Sequence, residues 1–187
     1  DLYNKAGFQG FDAAKAKTLA ATCATALGKP LEFTFPTDTS SESQANSTFL
    51  KNQLAKAGIN LELDILDNAT YVSRWLAGDF AAAVANNGGR IDPDTMYTRY
   101  FPSTGNLNKV AGYSSATMDA LFLKGKATGR AAERKVVYKQ ISQELENNAV
   151  WIWLFAPYEY RAAAKNVTGF IPLATGSLIE LRVVDLK

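Results

Sequence analysis

Residues 31–65 read LEFTFPTDTSSESQANSTFLKNQLAKAGINLELDI, and the spacing of their apolar residues decides the predicted fold. The segments Leu31 to Phe35 and Ile59 to Ile65 place an apolar residue at every second position, which predicts two strands. Between them, Glu42 to Ala57 carries apolar residues on one side and stops at Gly58, which predicts a helix. A strand, a helix and a strand joined by short connections indicate an α/β fold.

Helical and extended patterns alternate through the rest of the chain. Helices are predicted at Ala13 to Leu27, from the cap Asn68 through Leu76, at Ser115 to Lys126 and at Ala131 to Asn148. Further strands are predicted at Phe80 to Val84, Val150 to Phe155, Tyr158 to Ala164 and Leu178 to Val184. The sequence therefore predicts a single α/β domain over residues 1–187, with a mixed central sheet flanked by helices.

The composition is that of a globular chain and argues against several classes of protein. Of the 187 residues, 47% are apolar and 20% are charged, and no stretch is long and apolar enough to span a bilayer. The 20 basic and 18 acidic residues are interspersed, which argues against nucleic-acid binding. The absence of histidine removes the commonest general base and metal ligand, so we expect no metal site and no cofactor. The single Cys23 is predicted to be a buried, unreactive thiol.

The loop that follows the predicted strand Phe80 to Val84 is the leading candidate for a binding site. Ligands of α/β sheets gather where loops leave the carboxyl ends of strands. Here the amide side chains of Asn86 and Asn87 precede Gly88 and Gly89, which let a partner approach the backbone closely. An ordinary turn explains the same composition equally well.

Scattered carboxylates leave an enzymatic alternative open. Paired carboxylates about 5 to 10 Å apart can hydrolyse glycosides, and the candidates are Asp64, Asp67, Asp79 and Asp92. Helix capping and surface exposure are the competing roles for these residues. An interaction module without a small-molecule ligand is a third possibility, which a flat apolar face would favour.

A run of aromatic residues lies on the first of the predicted late strands. Trp151, Trp153 and Phe155 occupy alternate positions and so share one face of that strand. Both core packing and a stacking wall for a ligand are compatible with this pattern.

Short phrases along the chain occur in the same order in a known family. They include FDAAKAKTL at residues 11–19, LKNQLAKAGINL at 50–61, GDF at 78–80, DPD at 92–94, GYS at 112–114, MDAL at 118–121, ERKVVY at 133–138 and NVTGF at 166–170. In this order the sequence resembles the family 5 extracellular solute-binding proteins of ABC transporters, the oligopeptide-, dipeptide- and nickel-binding type. The phrases cover nearly the whole chain.

The resemblance implies the C-terminal lobe of a periplasmic-binding-protein-like fold of type II, cluster C. Members of the family are longer and hold a solute between two lobes, so the N-terminal lobe is expected to lie outside this sequence. A start at Asp1 without a methionine or a leader is what we expect of such a piece. The strand predicted at residues 178–185 is then expected to cross to the other lobe.

The resemblance further implies a binding protein with no catalytic residue. It is expected to capture a peptide or another small solute and deliver it to an ABC permease. Its expected location is the periplasm or the outer face of the cell membrane, with a lipid anchor on a preceding segment. The candidate solute-binding residues are Asn86, Asn87, Gly88, Gly89, Arg90, Asp92 and Asn108.

One position departs from the pattern of the peptide-binding members. In those proteins a carboxylate four residues before the matching proline pairs with the α-amine of the peptide. Here Gly89 lies four residues before Pro93. An amine-terminated peptide therefore lacks this partner unless Asp92 or the other lobe supplies one. This departure favours neutral solutes such as oligosaccharides, because amide and tryptophan side chains suit hydroxyl groups and sugar faces.

Overall fold

The computed structural model describes residues 10–85, 92–154, 160, 162–171 and 179–186. Its helices are α1 (Ala13–Leu27), α2 (Ser41–Lys56), α3 (Asn68–Ala77), α4 (Pro93–Tyr97), α5 (Asn108–Ala111), α6 (Ala116–Ala127) and α7 (Ala131–Asn147). Its strands are β1 (Leu31–Asp38), β2 (Ile59–Leu66), β3 (Val167–Thr168) and β4 (Asp185–Leu186), and a 3-10 helix covers Ile179–Val183. The predicted α/β class is confirmed. No described helix is long and apolar enough to cross a bilayer.

β1 and β2 form a parallel pair, in register from Leu31 opposite Ile59 to Asp38 opposite Leu66. α2 connects the two strands and packs against both of them, which leaves Leu61 of β2 only 1% exposed. β3 and β4 form a separate antiparallel pair near the end of the chain. Within the described residues the strands thus form two small sheets, one parallel and one antiparallel, flanked by helices.

The two ends of α3 are fixed by its flanking residues. The Asp67 side chain caps the helix by accepting a hydrogen bond from the backbone N–H of Thr70 at 3.0 Å. The cap therefore lies one residue before Asn68, the predicted position. Gly78 ends the helix with φ of +71°, and a Cβ atom there would lie 2.7 Å from the carbonyl oxygen of Lys109. Only glycine allows the close approach of α3 to α5 at this point.

The hydrophobic core lies around α6 and α7 and the segment that carries α4 and α5. The side chains of Phe101 and Met118 are fully buried. Trp151 packs edge-on against Phe101 with ring centroids 4.8 Å apart, and Trp153 lies 5.4 Å from Trp151. The core-packing interpretation of Trp151 is confirmed. Phe155 lies outside the described residues.

The predicted strand at Phe80 to Val84 is wrong. These residues form no strand, and their side chains are half-buried or exposed. The three alanines at residues 81–83 offer little apolar area for burial between sheet neighbours. The carbonyl oxygen of Val84 accepts a hydrogen bond from the Tyr71 hydroxyl, so a side chain ties this segment to α3.

The strand predicted at Leu178 to Val184 is also wrong. Most of this segment forms the 3-10 helix, and the strand pairing begins only at β4. The described parts of the two strands predicted at residues 150–155 and 158–164 are not strands either. The Val150 N–H donates to the carbonyl of Leu145, near the end of α7, at 3.1 Å. This N–H is therefore not available for a hydrogen bond to a neighbouring strand.

α1 lies on the surface, and Ala20 is its one buried residue. The prediction of a buried Cys23 is wrong, because the thiol is exposed. The physical reason is that, among the described elements, α1 contacts chiefly β1, so the small-residue pattern around Cys23 faces no described core.

We expect Met118→Ala to lower the free energy of unfolding by about 2–5 kcal/mol, because it empties a fully buried site. Leu123→Ala on the same helix is the control. Its side chain is 70% exposed, so the expected change is within about 0.5 kcal/mol. Urea denaturation measures both, and equal losses would contradict the position of the core.

Candidate functional site

A cavity of about 520 Å³ lies at the carboxyl end of β1. Pro36 and Thr37 line it from the strand, and the first two turns of α2 form one side. Tyr71 and Trp75 of α3 form a second side, and residues 84–85 contribute a third. We call this cavity the β1 pocket. Its position agrees with the rule that ligands of α/β folds bind beyond the carboxyl ends of strands.

Hydrogen bonds between β1 and the start of α2 fix the residues on one side of the β1 pocket. The hydroxyl of Ser47 donates to the hydroxyl of Thr37 at 2.9 Å, and both residues are buried. The carboxylate of Asp38 accepts from the backbone N–H of Ser40 and from the hydroxyl of Ser43, each at 2.7 Å. These hydrogen bonds from Ser40 and Ser43 hold the pKa of the Asp38 carboxyl below its usual range. Asp38 is therefore ionised at neutral pH.

Two aromatic rings one turn apart on α3 form the opposite side of the pocket. The Tyr71 hydroxyl donates to the carbonyl of Val84, which fixes the ring and the segment that carries Val84. Burial raises the pKa of the Tyr71 phenol, so the phenol stays protonated and remains a donor. Trp75 packs edge-on against Tyr100, with ring centroids 6.4 Å apart. This side of the pocket is thus tied to the core.

Asp92 holds the start of α4 in place through hydrogen bonds within the protein. Its two carboxylate oxygens accept from the two terminal nitrogens of Arg134 at 2.6 and 2.8 Å. One oxygen also accepts from the backbone N–H of Asp94 at 2.8 Å and so caps α4. The Arg134 Nε donates to the carbonyl of Gly125 at 3.2 Å. Arg134 therefore joins the start of α4 to α6 and α7 through one planar group.

Tyr138 extends this cluster on α7. The guanidinium of Arg134 lies 5.0 Å from the centroid of the Tyr138 ring, over its face. The Tyr138 hydroxyl donates to a carboxylate oxygen of Asp94 at 3.3 Å. Burial raises the pKa of Tyr138 to about 12, so the phenol donates throughout the physiological pH range.

Asn108 is likewise engaged within the protein. Its side-chain nitrogen donates to the carbonyls of Tyr100 and Tyr113 at 2.9 and 2.7 Å. Both amide hydrogens are therefore used to hold two backbone segments together. Asp92 and Asn108 are the two predicted site residues that the structure describes, and each contributes to positioning. The other five, Asn86, Asn87, Gly88, Gly89 and Arg90, lie outside the described residues.

The residues of the β1 pocket were missed by the sequence prediction. Thr37, Asp38 and Ser47 read as parts of a polar turn and of a helix start. The signal that could have found them is the strand-end rule applied to β1, because the segment before residue 86 is not a strand. The separation of ten residues between Thr37 and Ser47 hides their hydrogen bond from any local pattern.

The carboxylates of the enzymatic alternative serve the fold. Asp64 and Asp79 both approach Arg74, at 2.7 and 3.3 Å, although the contact with Asp79 lacks the alignment of a hydrogen bond. Asp67 caps α3, and Asp92 pairs with Arg134. Nothing in these contacts supports a hydrolase. Within the described residues no group of three side chains has the composition of a metal site.

The chain matches the sequence model of the bacterial extracellular solute-binding proteins, family 5 (middle region), over residues 1–108. This chain belongs to that family. The probable D,D-dipeptide-binding periplasmic protein DdpA of Escherichia coli (strain K12) is 29% identical over 124 residues, which are 65% of this chain and 24% of that protein. The family of this chain consists of solute-binding proteins, and this relative is a binding protein too. Both agree with the expectation that the chain is not an enzyme.

Solved structures share the fold. The oligopeptide-binding protein AppA from Bacillus subtilis, in complex with a nonapeptide, matches with a TM-score of 0.85 and 22% identity, over 100% of this chain and 40% of that one. The binding protein AgaA from A. tumefaciens R10, in complex with agropinic acid, matches with a TM-score of 0.78 and 21% identity, over 99% and 41%. The family 5 chain thus spans well under half the length of these relatives.

We expect Arg134→Gln to destabilise the protein by about 1–2 kcal/mol, because it leaves the Asp92 carboxylate without its two-point partner. Arg130→Gln is the matched control. Its side chain is 85% exposed in a pair with Glu133, so the expected change is below about 0.5 kcal/mol. Urea denaturation of both variants provides the comparison. Equal stability of the two variants would show that the Asp92 pair contributes nothing.

The same pair predicts a pH dependence. Arg134 lowers the pKa of Asp92 in the folded state, so the pair stabilises the fold above the unfolded pKa of about 3.9. This contribution is lost as the pH falls through the lower, folded pKa. The difference in unfolding free energy between the natural protein and Asp92→Asn should be constant from about pH 6 to 8 and shrink below about pH 4. A difference that grows on acidification would contradict the assignment.

Proposed function

We propose that the protein is the solute-binding subunit of an ABC importer. The observation that carries this proposal is the β1 pocket, which lies at the strand ends of a chain that belongs to family 5. A volume of about 520 Å³ suits a small solute, since ligand pockets range from about 300 to 1,000 Å³. The pocket combines aromatic sides with hydroxyl, amide and carboxylate groups, as ligand sites commonly do.

The proposed site also includes the loop at Asn86 to Arg90. This loop follows residues 84–85, which line the β1 pocket, and precedes Asp92. Tyr71 anchors the chain before the loop, and Arg134 anchors it after the loop. Both anchors lie on helices, α3 and α7.

We propose further that residues 1–187 form one lobe, the C-terminal one, of a two-lobed protein. The apolar side chains of Leu181, Val183 and Leu186 are 48%, 52% and 71% exposed, so the end of the chain offers a surface that another lobe can cover. The segment 179–186 would then contact the N-terminal lobe as a 3-10 helix and a short strand.

The proposed solute is a peptide or another small molecule, such as an oligosaccharide, and the proposed partner is an ABC permease. The permease would receive the solute outside the cytoplasm. A lipid anchor on a segment that precedes this sequence is part of the same proposal. These points rest on family membership together with the site described above.

The test uses the complete protein that carries this chain, and the solute that co-purifies with it, identified by mass spectrometry. Asn46→Ala combined with Asn68→Ala removes two amide groups from the β1 pocket. We expect affinity for the recovered solute to fall about tenfold, since each lost hydrogen bond contributes about 0.5–1.5 kcal/mol. Isothermal titration calorimetry measures the change.

Asn60→Ala is the control for these variants, because Asn60 pairs with Glu32 on the strands, away from the pocket. Asn87→Ala with Arg90→Ala tests the loop separately. An unchanged affinity in the pocket variant would remove the pocket from the site, and an unchanged affinity in the loop variant would remove the loop.

A further inference from the structure

The turn between α6 and α7, with the adjoining parts of both helices, carries a local excess of positive charge. Residues 124–139 contain six basic residues and one acidic residue. The net charge of the whole chain is +2, so the other residues together carry a net charge of −3. The even mixture of basic and acidic residues along the sequence as a whole thus hides one strongly basic segment.

Two of the six basic side chains are paired within the protein. Arg134 binds Asp92, and Arg130 pairs with Glu133. The other four are exposed lysines that form no ion pair or hydrogen bond with another described residue, namely Lys124, Lys126, Lys135 and Lys139. The segment therefore presents four unpaired ammonium groups to its surroundings.

These lysines lie on the outer side of two packed helices. The Phe122 ring of α6 meets the Tyr138 ring of α7 edge-on, with centroids 6.4 Å apart, and the buried residues of both helices belong to the same core. Because the buried sides of both helices contact this core, their exposed sides together form one outer surface. We call it the α6–α7 surface. It comprises the four lysines and two exposed apolar residues, Leu123 at 70% and Val136 at 58% exposure.

Helix stability explains only part of this charge. Lys124 and Lys126 lie in the last turn of α6, where the helix dipole favours positive charge. Lys135 and Lys139 lie four residues apart in α7, so they are neighbours on the helix surface, where like charges repel each other. The pair on α7 therefore destabilises its own helix slightly, and an anionic partner would offset this repulsion.

The composition of the α6–α7 surface fits a lipid surface better than a protein. Protein–protein interfaces are depleted in lysine and enriched in aromatic residues and arginine, whereas this surface is made of lysine, leucine and valine. Anionic phospholipid headgroups attract clusters of lysine, and apolar side chains beside the lysines can enter the boundary below the headgroups. Each apolar residue has a lysine three positions further along its helix, Lys126 for Leu123 and Lys139 for Val136, so the two kinds of side chain are neighbours.

We propose that the α6–α7 surface binds the headgroups of an anionic phospholipid bilayer. The four ammonium groups contact the lipid phosphates, and Leu123 and Val136 enter the headgroup layer. None of the residues of this surface lines the β1 pocket, so the contact does not depend on which solute is bound. It would hold this part of the protein against the membrane in which the proposed permease lies.

The test measures binding to vesicles of two compositions. The complete protein that carries this chain, without any attached lipid, is sedimented with vesicles of phosphatidylcholine alone or of phosphatidylcholine and phosphatidylglycerol in equal parts. At about 0.05 M salt we expect a partition coefficient at least about tenfold higher on the anionic vesicles, since each lysine near an anionic surface contributes about fivefold. At about 1 M salt the difference should disappear, because the Debye length falls to about 3 Å.

Paired variants assign this preference to the α6–α7 surface. Lys135→Gln with Lys139→Gln should lower the partition coefficient on anionic vesicles about fivefold or more, because two of the four contacts are lost. Lys15→Gln with Lys17→Gln is the matched control. It removes two exposed lysines from α1, so the net charge falls equally, and we expect a change below about twofold. Circular dichroism and urea denaturation verify that both variants are folded.

The other two pairs test the rest of the surface. Lys124→Gln with Lys126→Gln should lower the partition coefficient on anionic vesicles about fivefold or more as well. Leu123→Ala with Val136→Ala should lower it about twofold or more while leaving its salt dependence in place, because apolar area is lost and charge is not. An unchanged coefficient in this last variant would remove the two apolar side chains from the contact.

Three outcomes overturn the proposal. The first is equal partition on the two kinds of vesicle. The second is a loss in the α1 control as large as the loss in the α7 pair, because binding would then follow net charge and not this surface. The third is binding of poly-glutamate by a protein that ignores anionic vesicles, which would assign the surface to an acidic protein segment. Solute binding at the β1 pocket is measured with other variants and is unaffected by any of these results.

Discussion

The parallel alignment of β1 and β2 is the constraint on which the described site depends. Two parallel strands cannot be joined by a tight turn, so the chain must return along α2 before β2 begins. As a result both strands end at the same edge, and the helices that follow them, α2 and α3, both begin there. The polar residues that cap helices and terminate strands are therefore collected at one place. An antiparallel hairpin could bury the same apolar residues but would place the two strand ends at opposite edges.

The fold uses most of its described carboxylates to fix geometry. Asp67 and Asp92 cap helices, and Asp64 and Asp79 flank Arg74. Each of these groups has a backbone donor or a cation as its partner. Glu42 differs from them, because it lines a cavity and has no described partner. Glu42 is therefore a carboxylate of the β1 pocket that the described fold leaves unused.

Elements with a strong local period were predicted well from the sequence. α1 has the predicted bounds, and β2 and α7 end within one residue of prediction, because periodicity and end signals lie within each segment. The absence of a strand at Phe80 to Val84 could not be predicted in this way. A short apolar run is compatible with a strand, and the competing hydrogen bond from Tyr71 comes from a different element. The exposure of Cys23 could not be predicted either, because it depends on how α1 packs against the other described elements and not on the sequence of α1 itself.

The candidate site was predicted less completely than the fold, since its contacts connect distant residues. The strand-end rule was applied to residues 80–84, which form no strand, and not to the end of β1, where the pocket lies. Asp92 was selected as a ligand contact, yet its partner Arg134 lies 42 residues away in sequence, and no spacing rule links the two. A carboxylate next to a proline reads the same whether it faces a solute or an arginine. The pair with Arg134 is visible only in the fold, and the contact of Asp92 with a solute stays a prediction.

The pattern of hydrogen bonds divides the site into residues that position it and residues free to recognise a solute. The Tyr71 hydroxyl and the two amide hydrogens of Asn108 are all used within the protein. These atoms cannot serve a ligand without breaking a contact that shapes the site. By contrast, the side chains of Glu42 and Asn46 line the pocket and make no hydrogen bond to another described residue. Substitutions at the positioning residues should therefore change the site for every solute alike, whereas exchanges at Glu42 and Asn46 can change which solute is preferred while the fold stays the same.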